Sequence, residues 1–161
     1  MQIEDGKFYF INNKFIEKYG DRYNLMKNKE SGNKRPCYFC FKDKIDTNII
    51  WFVPISKQYE KYKDIYEKKK QKIHREPLNF VFGIVKDEKA VFLIQNMFPT
   101  TQEFIEEKYQ VKKNDITISR PLQKEIIQKA EMVLKLESKG IHVAFSNLLE
   151  FKKELLVIEK I

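Results

Sequence analysis

Four side chains able to grip or move charge around a phosphate fall in two short stretches of the chain. Lys34 and Arg35 stand ahead of Pro36, and Ser56 and Lys57 follow directly on Trp51-Phe52-Val53-Pro54-Ile55. One reaction class needs little more than such a set. Attack of a ribose 2′-hydroxyl on its neighbouring phosphate requires no metal and no protein nucleophile. It requires a base for the 2′-hydroxyl, cations against the extra charge of the phosphorane, and a proton donor for the departing 5′-oxygen. Desolvation and neighbouring cations can lower a lysine's pKa toward the range of a useful base. A hydroxyl at a helix N-terminus, beside free backbone N–H groups, can hold a non-bridging oxygen. The same residues also have a plain reading, in which Ser56 caps a helix and Lys34 and Arg35 only blunt a strand end.

The elements that must position these residues can be read around them. Lys34-Arg35-Pro36 runs into the aromatic strand Cys37–Phe41, and Pro36 suits a strand start, where its missing N–H is tolerated. A polar turn over residues 42–48 leads to a second, fully apolar strand from Ile49 to Pro54. Antiparallel pairing puts the start of one strand beside the end of the other, which brings Lys34 and Arg35 toward Ser56 and Lys57. Ser56 to Gln71 is predicted as a helix capped by Ser56, with Tyr59, Tyr62, Ile65 and Tyr66 on one face. It ends in the basic run Lys68-Lys69-Lys70-Gln71-Lys72-Ile73-His74-Arg75, which would add salt-dependent affinity for a polyanion. Tyr59, Lys61, Lys68, Lys69, Lys70, Lys72, His74 and Arg75 are accordingly candidate RNA contacts.

The rest of the chain reads as strands interleaved with helices. Lys7–Ile11 is a first strand, and Asn12 or Asn13 caps a short helix whose stripe is Phe15, Ile16 and Tyr19, ended by Gly20. Residues 21–34 form a long polar loop, of a length often given to function. Asn79–Val85 and Ala90–Gln95 are two strands joined by a turn over 86–89. Asn96-Met97-Phe98-Pro99 leaves the sheet, and Thr100 or Thr101 caps a helix through Lys108. Ser119-Arg120-Pro121 opens the clearest helix, buried through Leu122, Ile126, Ala130, Val133 and Leu134 and stopped at Gly140. Past Ile141–Phe145, Ser146 caps a last segment carrying Leu148, Leu149, Phe151, Leu155 and Leu156. The pattern predicts one α+β domain over residues 1–161 with an antiparallel sheet.

Composition narrows the function classes. Thirty-one Lys and Arg against 23 Asp and Glu leave a net charge of +8 on 161 residues, a field that favours a polyanionic partner. There is no 18-residue apolar run and no leader-like N-terminus, so the chain reads as cytoplasmic, without a membrane. Cys37 and Cys40 form a lone C-x-x-C; the histidines, His74 and His142, lie far apart, and aromatic residues flank the cysteines. The pair therefore reads as reduced core residues, not a zinc or redox site. No P-loop, dinucleotide fingerprint or nucleophile elbow is present, and the carboxylates are not clustered for a two-metal nuclease. No metal and no cofactor is expected.

Three ordered segments carry a resemblance: Gly32-Asn33-Lys34-Arg35-Pro36-Cys37-Tyr38-Phe39, Val53-Pro54-Ile55-Ser56-Lys57 and Gln95-Asn96-Met97-Phe98-Pro99. In order and spacing they resemble the endoribonuclease toxins of type III toxin–antitoxin systems, the ToxN/AbiQ group, and most nearly the CptN branch. The resemblance implies a twisted antiparallel β-sheet core, MazF/Kid-like, surrounded by α-helices. It implies RNA cleavage without metal that leaves a 2′,3′-cyclic phosphate. It also implies inhibition by a small repeated RNA antitoxin, folded as a pseudoknot in the basic groove and closed with the protein into a ring. Cellular RNA is the implied substrate and phage defence the setting. Lys34 matches the family's active-site lysine, Ser56 the Ser/Thr after the Pro-aliphatic pair, and Lys57 lies in the same turn, with Arg35 beside Lys34. Asn96 joins the candidate RNA contacts from the third segment. The chain departs from its relatives where Ser56 is followed directly by Lys57 and Gln58, without a second hydroxyl. Glu30 stands where some relatives carry a tyrosine, which leaves Tyr23 or Tyr59 to substitute. The alternative reading is a non-catalytic RNA-binding protein.

Overall fold

A computed structural model describes residues 2–28 and 34–159, the last two by their backbone alone. Glu30, Gly32 and Asn33 lie outside the described residues. The architecture is α+β, a seven-stranded antiparallel sheet with four helices. The strands are β1 (Phe8–Ile11), β2 (Pro36–Lys42), β3 (Ile50–Ser56), β4 (Phe80–Val85), β5 (Glu88–Leu93), β6 (Phe98–Thr100) and β7 (Ile105–Lys108). A separate two-stranded hairpin follows, β8 (Gln110–Val111) and β9 (Asn114–Asp115). The helices are α1 (Asn13–Tyr19), α2 (Tyr59–Ile73), α3 (Arg120–Ser138) and α4 (Leu148–Glu159).

Sheet order is β4-β5-β3-β2-β1-β7, and β6 pairs with β3 as well. β3 is thus hydrogen-bonded along one edge to β2, from Cys37↔Pro54 to Lys42↔Ile50. Its other edge is shared. The first half meets β6, Ile50↔Thr100 to Phe52↔Phe98, and the last two residues meet β5, Ile55↔Phe92 and Ser56↔Val91. Pro54 sits at the handover between these two partners, where its lack of an N–H costs the ladder least. With partners on both edges and packing on both faces, β3 reads as an unbroken apolar run, and Trp51, Phe52 and Val53 are fully buried. Phe52 stacks on Phe98 at 6.1 Å and 17°, and Tyr9 meets it edge-on at 6.3 Å.

Helices close the layers. Ser119 caps α3 by accepting from the Leu122 N–H at 3.4 Å, with Pro121 in the first turn and Gly140 at φ +80° beyond the end. Gly83 in β4 lets α3 approach, since a Cβ there would come 2.5 Å from Leu122 Cδ2. Phe151 of α4 stacks on Phe15 of α1 at 5.8 Å and on Tyr23 at 4.0 Å.

Several expected boundaries move. Met97 to Pro99 does not leave the sheet; Phe98–Thr100 is β6. The segment after Thr101 is a single 3-10 turn, Gln102–Phe104, and then strand β7, instead of a helix through Lys108. The short run Ile105-Glu106-Glu107-Lys108 is claimed by the open edge of β1, which outweighs its local helix preference. Ser146 does not cap α4: its hydroxyl donates to the Tyr23 carbonyl, and Asn147 Oδ1 accepts from Glu150 N at 3.2 Å. The β4–β5 turn is only Lys86-Asp87, both at positive φ (52° and 60°), the backbone of a type I′ hairpin. Ile65 is exposed, so the inner face of α2 is Tyr59, Tyr62 and Tyr66, packed on Phe80 and Phe82. Cys37 and Cys40 are both free and buried, and burial pushes the Cys37 thiol up to about 12.

Asp43 ties the β2–β3 turn to α4. Its carboxylate accepts from Trp51 Nε1 at 2.9 Å, from Asp46 N at 3.0 Å and from Lys152 Nζ at 2.9 Å. Burial alone would raise its pKa, but the Asp46 N–H, the Trp51 indole and Lys152 outweigh burial and hold it below the ordinary carboxylate value. A depressed folded-state pKa stabilises fully above the unfolded value of about 3.9 and is lost as pH falls through the folded one. Asp43→Ala strands the indole N–H and the ammonium, and should lower the unfolding free energy by about 1–3 kcal/mol in a denaturant melt at neutral pH. The acid-induced loss of stability below about pH 4 should also be smaller in Asp43→Asn than in the parent protein.

Candidate functional site

The β2–β3 pairing sets the site. Continuing its register past Cys37↔Pro54 brings Arg35 level with Ser56 and Lys34 level with Lys57. All four line one cleft of about 490 Å³, together with Gln58 of the turn into α2, Lys61 of its first turn, Lys86 of the β4–β5 turn, Glu88 and Lys89 of β5, and the rings of Phe10, Tyr62 and Tyr109. Cations thus converge from three separate elements against Glu88 as the carboxylate in the lining, which makes a positive concavity suited to phosphate.

Ser56 is not the cap of α2. It is the last residue of β3, buried, and its Oγ accepts from Gln58 N at 3.1 Å to shape the two-residue turn. The helix starts at Tyr59 after Gln58, whose side chain makes no capping hydrogen bond. The hydroxyl accepts from a backbone N–H as a cap would, but from that of Gln58 ahead of the helix, with two results. A serine hydroxyl has one proton and two lone pairs, and among the described residues only a lone pair of Ser56 is engaged, so its proton can point to an anion. Of the first-turn amides of α2, Tyr59 N–H is taken by the Lys57 carbonyl at 2.8 Å, while those of Glu60 and Lys61 have no side-chain cap among the described residues.

The cations differ in how they are held. Arg35 is anchored at Nε by the Lys27 carbonyl at 3.0 Å, and its backbone N–H by Asn28 Oδ1 at 3.0 Å. Among the described residues its two terminal nitrogens have no partner, which leaves them for a forked contact with phosphate oxygens. Lys34 is half-buried and ion-paired to Glu106 of β7. Lys57 is exposed and 3.7 Å from an equally exposed Glu88, a pair worth little against solvent. A second depression of about 680 Å³, between Phe41, Asp43, Met132 and Lys152, is larger but carries a different charge pattern. There Lys44 meets Glu131 at 3.5 Å and Lys152 meets Asp43 at 2.9 Å, so its charges cancel locally.

Of the other predicted contacts, only Lys61 reaches the cleft. Tyr59 packs on Phe82 at 5.3 Å with Lys89 near its ring, outside the lining. Lys68, Lys69, Lys70, Lys72, His74 and Arg75 are exposed but belong to the far end of α2 and the residues after it. At about 1.5 Å per residue, Lys68 to Lys72 lie roughly 10–17 Å along the axis from Lys61, beyond the reach of the same nucleotide. Lys68 is also paired with Asp64 at 2.9 Å. Asn96 ends a 3-10 turn and is not in the lining. Neither substitute tyrosine fits: Tyr23 is buried on Phe151 and donates to Glu154, with its pKa pushed up to about 12 by burial and that carboxylate. Sequence reasoning missed Glu106, Tyr62, Lys86 and Tyr109.

Among the described residues no group of three or more His, Cys, Asp or Glu side chains comes together as metal ligands, and no helix is long and apolar enough to cross a membrane. No family model matches the sequence, and no curated protein does. Solved structures do match, over nearly the whole length. One comes from work on bacterial type III toxin–antitoxin systems, with selective toxin inhibition by a non-coding RNA pseudoknot: TM-score 0.70, 16% identity, 98% of this chain and 100% of that one. A second concerns a processed non-coding RNA that regulates a bacterial antiviral system: TM-score 0.67, 11% identity, 92% and 96% covered. A third is AbiQ, a lactococcal anti-phage endoribonuclease of the type III toxin–antitoxin system: TM-score 0.65, 11% identity, 96% and 98% covered. At these identities the likeness is one of fold.

Because Ser56 spends one lone pair on one turn hydrogen bond, Ser56→Ala should cost only about 0.5–1.5 kcal/mol of stability. Thermal and denaturant melts of the variant check this, and they qualify it as a probe of function that leaves the fold intact.

Proposed function

We propose that the chain is an endoribonuclease toxin of a type III toxin–antitoxin system, and that its cationic cleft is the RNA site. The observation that carries this is the convergence of Lys34, Arg35, Ser56 and Lys57 on one cleft, in a fold shared with toxins of that kind. In the reaction the 2′-oxygen bonds to the adjoining phosphorus and gives up its proton to a base. The bond from phosphorus to the 5′-oxygen breaks, the 5′-oxygen takes a proton from the lysine ammonium that does not serve as base, and a 2′,3′-cyclic phosphate remains. Ser56 Oγ–H and the first-turn amides of α2 hold a non-bridging oxygen, and Arg35 offsets the phosphorane charge through its free terminal nitrogens. One of the lysines flanking Ser56, Lys34 or Lys57, takes the 2′-proton and the other adds positive charge. The pH–rate profiles of Lys34→Ala and Lys57→Ala assign the two roles.

The further parts of this reading rest on the same support. The step needs no metal. The inhibitor is a small repeated pseudoknot RNA that fills the cleft and closes with the protein into an assembly in the cytoplasm. The segments around Lys34, Ser56 and Asn96 favour the CptN branch within the group, and a kinship of the sheet with the MazF/Kid fold belongs to the same proposal. The lysines at the far end of α2 contribute diffuse, salt-dependent attraction to RNA lying beyond the cleft.

Purified protein incubated with AU-rich RNA in EDTA should produce new ends bearing cyclic phosphate. Ser56→Ala and Lys34→Ala should each lose about 10²-fold or more in rate while folding normally. Salt-dependent RNA binding without new ends on long incubation would sink the nuclease reading in favour of a non-catalytic RNA-binding protein.

A further inference from the structure

Beyond the phosphate-binding set, the cleft has an aromatic wall that the proposed chemistry does not use. Tyr109 and Phe10 both line it, half-buried, with ring centres 5.5 Å apart at 72°. Phe8 supports Tyr109 from the core at 6.5 Å and 83°, and the Tyr109 N–H donates to the Phe8 carbonyl at 2.8 Å. The ring is therefore held in place before any ligand arrives, so little side-chain entropy remains to be lost on stacking.

The phenol end is held too. Lys86 Nζ lies 2.5 Å from the Tyr109 hydroxyl and 5.1 Å from the ring centre. The second distance is close to the first plus the length from ring centre to phenol oxygen. The ammonium therefore sits off the end of the ring, not above its face. Lys86 is placed there by the type I′ hairpin turn that it forms with Asp87. Position supports the same use. Phe10 is paired with Pro36, the residue after Arg35, and neighbouring strands lie about 4.8 Å apart. Tyr109 is level with Phe8 and Tyr38, so its backbone lies two strand spacings across and three residues along from Arg35, on the order of 14 Å, a gap that the two long side chains and one nucleotide or its neighbour span.

We propose that the Tyr109–Phe10 wall is a nucleobase platform, on which an unpaired base stacks while its phosphate lies against Arg35 and Ser56. This rests on the reading of the cleft as an RNA site. Stacking accepts any base, so the platform adds affinity and placement while sequence preference arises elsewhere.

The test is equilibrium binding of 2′-O-methyl tetra-adenosine, which cannot be cleaved, and of four versions each with one abasic sugar. Tyr109→Leu should weaken binding of the full tetramer about 5- to 100-fold, and Tyr109→Phe, which keeps the ring, should restore most of it. One abasic position should weaken binding to the parent protein by a similar factor, and Tyr109→Leu should then add little. A role limited to folding would instead weaken all five probes alike. That result, or a Tyr109→Phe loss equal to that of Tyr109→Leu, overturns the platform. The predicted pattern in a protein that cuts no RNA would overturn the nuclease reading alone, and absence of binding to all five probes by the parent protein would overturn both.

Discussion

Everything in this protein hangs on β3 having partners along its whole length. One edge is given to β2, the other is divided between β6 and β5, and Pro54 falls at the division. A strand so enclosed cannot slide, because a shift of one residue would turn Trp51, Phe52 and Val53 out of their packing. Ser56, last in the strand and level with Val91, inherits that rigidity. The hydroxyl on which the proposed chemistry depends is thus held by the core and not by a mobile loop. β2 delivers Arg35 to the same level through the register it shares with β3.

Electrostatics separates this cleft from the other concave surface. At the far end of β2 and β3 the lysines are matched by Asp43, Asp46 and Glu131, which makes a joint between turn and helix. In the cleft, Arg35 is anchored through Nε to a backbone carbonyl, which fixes its direction without neutralising it. Lys57 has only a screened, exposed partner. Lys34 is the exception, matched by Glu106, so an anion entering the cleft would compete with a carboxylate for that ammonium.

How much of this could be read beforehand varied with the range of the interaction. α3 was legible from its serine cap, first-turn proline and glycine stop, and these are signals within a few residues of one another. The hairpin of β2 and β3 was legible because two apolar runs flank a polar turn. Strand β7 was not, since four residues with two glutamates take their conformation from the open edge of β1. Losing β7 hid Glu106 and Tyr109 together. The basic run after Tyr66 was legible as charge but not as place, since only the fold puts it roughly 10–17 Å along α2 from Lys61.

By itself the sequence determined the class of fold, the excess of positive charge and the pairing that brings Lys34 and Arg35 toward Ser56 and Lys57. Those follow from local periodicity and from one short connection. Only the tertiary structure decided that Ser56 ends a strand and leaves the helix uncapped, that Lys34 meets Glu106, and that Tyr109 and Lys86 wall the cleft. Each of these joins residues far apart in the chain, and which of several edges or faces they meet depends on the packing of the whole sheet, not on their neighbours in sequence.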